Sequence, residues 1–167
     1  MSKGKIVWKV IQHLLVLVIA FVLQGLVFPY LPLGGMVPLV LPVAVVGVAM
    51  FEGGFYGALF GLCAGMLCDV SCNAPTILFT VTLTAVGLLV GCLSQTVLTR
   101  GFVSCLITCA AALLVCGVVQ SFGLLFFQGQ GVGALALECV LQALYSLIFC
   151  IPMYFIARVI ARGIVPA

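Results

Sequence analysis

"GGFYGALFGLCAGMLCD", residues 53–69, is the stretch on which the reading of the chain turns. Gly53, Gly57, Gly61 and Gly65 recur every fourth residue, and Asp69 continues the spacing. Four residues are a little more than one helical turn, so all five positions fall on one slowly drifting ridge. In a water-exposed helix each glycine would cost about 1 kcal/mol relative to alanine. Among lipid tails the same ridge lets a second backbone approach closely, and van der Waals contact drives the association. The stretch therefore predicts a transmembrane helix packed in the middle of a bundle, with an ionisable group at one end. Such a group in a membrane helix has a partner or a task.

Composition agrees with that reading. Hydrophobic residues make up 66% of the 167, and charged residues only 5%, against about 25% in soluble domains. Mean hydropathy is +1.49. A spanning helix needs roughly 20 apolar residues, so the length accommodates about six spans with short turns and one membrane domain, 1–167. The first thirty residues look like a secretory signal, but no small-residue cleavage site follows "LVFPYLPLGG" and further apolar segments do. They are read as the first helix. The net charge of +3 reflects dispersed basic residues at span ends and does not suggest nucleic-acid binding.

Taken in order, the apolar runs predict helices at about 6–28, 36–51, 53–70, 76–98, 102–127 and 134–157. "FPYLPLGG" breaks the first from the second, which carries Pro38 and Pro42 and is expected to be tilted, kinked or partly extended. "FEGG", "SCNAP", "TRG" and "QGQGVG" form the later turns. Pro152 is expected to bend the last helix. Thr76, Thr80, Thr82, Thr84 and Ser94 are expected to bond to neighbouring carbonyls. His13, in the first turns of the first helix, reads as an interfacial hydrogen-bonded histidine.

The basic residues test the count. They lie in the head (Lys3, Lys5, Lys9), in one turn (Arg100) and in the tail (Arg158, Arg162). Even numbers of spans separate these places, so six spans put all of them on one side. By the positive-inside rule that side is the cytoplasm, with both termini there. Asp69 then sits at the outer end of the third span, Glu138 in the outer part of the sixth, and Glu52 on the cytoplasmic side. Asp69 either caps the fourth helix or bonds to the "SCNAP" turn, where Asn73 also lies, or else meets a ligand or partner. Glu138 faces a partner, a polar cavity, or Gln142 one turn along its own helix.

Catalytic signals are not found. There is no nucleophile–base pair, metal motif or phosphate loop, so no enzyme activity and no cofactor is expected. Nine cysteines are present, but without C-x-x-C or Cys/His spacing, which predicts no metal site.

Three stretches carry a family likeness: "FVLQGLVFPYLPLGGMVP" (Phe21–Pro38), "GALFGLCAGMLCDV" (Gly57–Val70) and "PMYFIAR" (Pro152–Arg158). Together they resemble the bacterial rod shape-determining protein MreD family over nearly the whole chain. In that family a Gln-containing segment and an aromatic–proline break end the first helix. A short second helix starts at a proline, the third carries repeated glycines and ends in an aspartate, and a proline bends the last. The chain departs at Leu39, where an acid or amide is common, and near the last bend. There Gln142, Tyr145 and Ser146 stand in place of a Glu followed by Tyr-Asn. The resemblance implies a non-enzymatic, multi-pass scaffold of the cell-wall elongation machinery in the cytoplasmic membrane. Its partners would be an MreC-like bitopic protein and, through the complex, MreB, RodA and a class B penicillin-binding transpeptidase, with lipid around it. The family is similar in helix arrangement to the vitamin-binding S components of energy-coupling transporters, which supplies the alternative function. On the scaffold reading, the glycine ridge and the short second helix are the expected contact surfaces.

Overall fold

The structure is a computed structural model that describes residues 3–27, 30, 38–71, 77–96, 101–128 and 132–162. It is all-helical, with no strand among the described residues. Helix α1 (Lys3–Val22) runs into a π-helical turn (Leu23–Val27). Then follow α2 (Val40–Glu52), α3 (Gly54–Ser71), α4 (Leu78–Thr96), α5 (Phe102–Gln128), α6 (Val132–Ile148) and α7 (Cys150–Arg162). The breaks expected at "FPYLPLGG", "SCNAP" and "TRG" fall largely, and that at "QGQGVG" half, outside the described residues.

Large apolar side chains cover the outside. Leu15, Ile19, Val81, Leu89, Val103, Ile107, Ile148 and Phe155 are all exposed. A belt of this kind is suited to lipid rather than water, and the chain is a membrane protein. By length and composition three helices can cross a bilayer: Trp8–Leu26, Leu78–Gln95 and Phe102–Ser121. The segments Cys139–Ile148 and Cys150–Ala161, bent by 47°, make a fourth if counted as one broken span.

The second expected helix, 36–51, is observed as Val40–Glu52. Helix α2 has 13 residues, about 20 Å of helix, against a hydrocarbon core of about 30 Å. Every residue from Val40 to Met50 is buried. A helix that is apolar all round belongs in the interior. It is α2, not the glycine ridge, that occupies the centre, touching each of the other six helices. Nor does Pro42 kink it. Pro42 is the third residue of the helix, where a missing N–H costs nothing.

The glycine ridge packs inside the chain, against α4. Gly57 lies on the Gly87 carbonyl, Gly61 on the Leu83 carbonyl, and Gly65 on Phe79 and Thr80. Each step of four forward in α3 is met by a step of about four back in α4, which is an antiparallel hairpin. A Cβ at Gly57, Gly61 or Gly65 would overlap backbone atoms, which have nowhere to move. Gly53 continues the ridge, facing Gly91 and Gln95 of α4, and has a second part. It lies between α2 and α3 with φ +95°, a conformation glycine adopts without penalty. Its N–H closes α2 on the Ala49 carbonyl at 3.0 Å. The ridge is thus a packing face, and the expectation that it also meets a partner is corrected, because α4 already covers it.

The last helix breaks at Phe149, three residues before the expected point. Proline removes the bond to residue i−4 and pushes that carbonyl away. For Pro152 that residue is Ile148, so the disruption falls one turn upstream. Phe149 N–H instead donates to the Ser146 carbonyl at 3.1 Å, a tighter turn.

Gly61→Leu should lower the stability of the purified protein by about 3 kcal/mol, and Gly61→Ala by a smaller amount. Thermal unfolding in mild detergent checks this. An unchanged Gly61→Leu melting temperature would contradict the packing described.

Candidate functional site

An α-helix begins with N–H groups that have no intrahelical partner. Inside a membrane protein no bulk water is at hand to satisfy them, and each orphan is costly. Helix α2 starts in the buried interior with no side-chain cap of its own. Its donors are met from elsewhere in the chain. Leu39 N–H donates to Ser146 Oγ at 2.9 Å. Val40 and Leu41 N–H both donate to Gln24 Oε1, each at 3.1 Å. The next residue, Pro42, has no N–H to satisfy. The whole start of the helix is therefore accounted for by two side chains from outside it.

Both partners are held in place. Gln24 lies in the π-helical turn that follows α1 and is buried. Ser146, fully buried on α6, also donates to the Gln142 carbonyl at 2.7 Å. Gln142 thus contributes its backbone to this cluster. Glu138 lies on the same helix, but its side chain is outside the described residues, so its expected role receives no geometry here.

Asp69 does the same for α4. Its Oδ1 accepts from Phe79 N–H at 3.1 Å. Its Oδ2 accepts from Thr80 N–H at 3.0 Å and from Thr80 Oγ1 at 2.5 Å. A carboxylate at a helix N-terminus also meets the positive end of the helix dipole. Of the readings open for Asp69, the structure supplies the helix cap. The ridge explains how the acid arrives there: Gly65, one turn earlier, lets α3 approach the first turn of α4. Thr82, Thr84 and Ser94 bond back to carbonyls of their own helix as expected, while Thr80 serves Asp69 instead.

One end of the bundle collects charge. Lys9 Nζ lies 3.5 Å from Glu52 Oε1 and donates to the Ala161 carbonyl at 3.1 Å. The start of α1 and the ends of α2 and α7 therefore meet. Arg158 lies over the Tyr154 ring at 5.9 Å. The side chains of Lys3, Lys5 and Arg162, and the whole of Arg100, are outside the described residues. His13 is hydrogen-bonded as expected, with Nδ1 2.9 Å from the Lys9 carbonyl, yet it is buried beside Phe60 rather than interfacial.

Two features were not read from the sequence. Between α4 and α5 runs an apolar groove of about 370 Å³, lined by residues including Val86, Leu89, Leu93, Ile107, Ala111 and Val115. Cys105, Cys109 and Cys150, all buried, bring their sulfurs within 4.8 Å of one another. The four-residue spacing of Cys105 and Cys109 was visible, but the third member comes from another helix. In comparisons with protein-family models, curated proteins and solved structures, the chain has no significant match.

Two substitutions test the supplied caps. Gln24→Met should cost about 2 kcal/mol or more, because two buried donors lose their acceptor. Asp69→Leu should cost about as much, and Asp69→Asn, which keeps one acceptor oxygen, should recover part of the loss. Unfolding in mixed micelles reads both. Parent-like stability for Gln24→Met would contradict its assigned role.

Proposed function

We propose that the chain is a non-enzymatic membrane scaffold of the bacterial cell-wall elongation machinery, similar to the MreD family. The observation that carries the reading is how the polar groups of the interior are used. Gln24, Ser146 and Asp69 each hold a helix start, so they fix the shape of the bundle and are already occupied by it. Two of them, Gln24 and Asp69, lie in the stretches that resemble the family. The short second helix beginning just after a proline is the third element of that likeness.

The proposed topology has six crossings, with α6 and α7 together forming the last. Contact between Lys9 of α1 and Ala161 of α7 supports an even number, since the start of the first helix and the end of the last lie together. Lys9 and Arg158 at that end support placing both termini in the cytoplasm and the protein in the cytoplasmic membrane.

With the glycine ridge and α2 enclosed, the groove between α4 and α5 is the surface we assign to the spanning helix of an MreC-like bitopic partner. Ala111 and Ala112 line it, and small residues let a helix approach closely in lipid. MreB, RodA and a class B penicillin-binding transpeptidase would join through that partner.

Cross-linking in the native cells, mild-detergent purification of the tagged chain and mass spectrometry test the proposal. An MreC-like protein and wall synthases should be recovered. Ala111→Trp should abolish that recovery while shifting the melting temperature by less than roughly 3 °C. Recovery of a transport subunit with paired ATPases would instead identify an S component and overturn the scaffold reading.

A further inference from the structure

The three converging cysteines do not take part in the capping described above, and they form a site of their own. Cys105 and Cys109 lie one turn apart on α5, with sulfurs 4.0 Å from each other. Cys150 is the first residue of α7. The break at Phe149 ends α6 and starts the helix that sets this third sulfur against α5. All three sulfurs lie within 4.8 Å of one another and all three residues are buried. Among the described residues this is the one such group of three ligand-bearing side chains. Cys68 and Cys116, equally buried, are not part of it. A thiol in an apolar run ordinarily packs as a small hydrophobe, and packing alone does not require three to share one point.

We propose that Cys105, Cys109 and Cys150 bind a single soft monovalent metal ion, Cu(I), which fastens α7 to α5. The spacing fits. At a metal–sulfur distance of about 2.3 Å, three sulfurs arranged in a plane around an ion stand about 4.0 Å apart. Thiolate sulfur selects soft ions, Cu(I) among them, over hard ones. Three donors also match a trigonal ion better than zinc, whose structural sites use four. An aromatic cluster is close by: Phe102 and Tyr154 each lie about one turn from the cysteines along their helices. Their rings meet edge to face at 5.4 Å, with Phe51 5.6 Å from Tyr154. Binding is coordination, with thiol protons released to solvent as the ion enters. No oxidant or reductant is consumed.

The experiment is an anaerobic titration of the purified, reduced full-length chain with Cu(I) supplied as its bicinchoninate complex. One equivalent should move to the protein, and X-ray absorption at the copper edge should find three sulfur neighbours at one distance. The melting temperature should rise by roughly 5 °C on loading, since the ion binds the folded state. Cys150→Ala should weaken retention by roughly 100-fold or more, because losing even an outer-shell partner costs up to that much. Cys105→Ala is the second variant should the first not fold. Cys63→Ala, outside the triad, should bind as the parent does. Failure of the parent to take copper from the complex, or an undiminished equivalent in either triad variant, would overturn the site. Neither result bears on the scaffold proposal, which uses none of these residues.

Discussion

A polypeptide in lipid must satisfy its own backbone, and the helix starts are where this chain does so most visibly. Within a helix the ladder takes care of itself, so the cost concentrates at the ends. Here α2 starts buried within the chain. Its first donors are held by Gln24 and Ser146, and Pro42 removes the remaining one. The amide comes from the π-helical turn after α1 and the hydroxyl from α6. The central helix thus fixes where its neighbours stand, because displacing either would leave donors without acceptors. Asp69 repeats the arrangement between α3 and α4.

Packing completes what those bonds begin. Lipid tails are as apolar as the side chains they meet, so burying leucine against a helix gives little. Close approach gives more, through many small dispersion contacts. The hairpin of α3 and α4 achieves it with glycine opposite backbone at every turn of the contact. Gly65 then delivers Asp69 to the first turn of α4, so the small residues and the acid act as one device. Gln24, Ser146 and Asp69 are used to hold the fold, and the outer surface is apolar, which agrees with the scaffold we propose.

Much of this was legible in the sequence, for identifiable reasons. The four-residue glycine period ends in Asp69, and a shared face follows directly from helix geometry. Its partner was not legible, since close packing looks the same whether the second helix belongs to this chain or to another. The central position of α2 was hidden for a related reason. Hydropathy scores Val40–Met50 as apolar, and lipid and protein interior are equally apolar. Gln24 stood in a quoted motif, yet its acceptor role depends on a helix start that lies sixteen positions further on. The thiol cluster was half visible: Cys105 and Cys109 share a face by spacing, whereas Cys150 joins them only through the break at Phe149. The position of that break, one turn before Pro152, follows from the carbonyl that proline displaces and not from the proline itself.

The central claim is that side chains from other helices hold the starts of α2 and α4. Amide hydrogen exchange of the protein in lipid nanodiscs, resolved to single residues, tests it most directly. The account predicts slow exchange at Leu39, Val40, Leu41, Phe79 and Thr80, comparable to the middle of α2. Rapid exchange at these five amides, as at a frayed helix end, would contradict it.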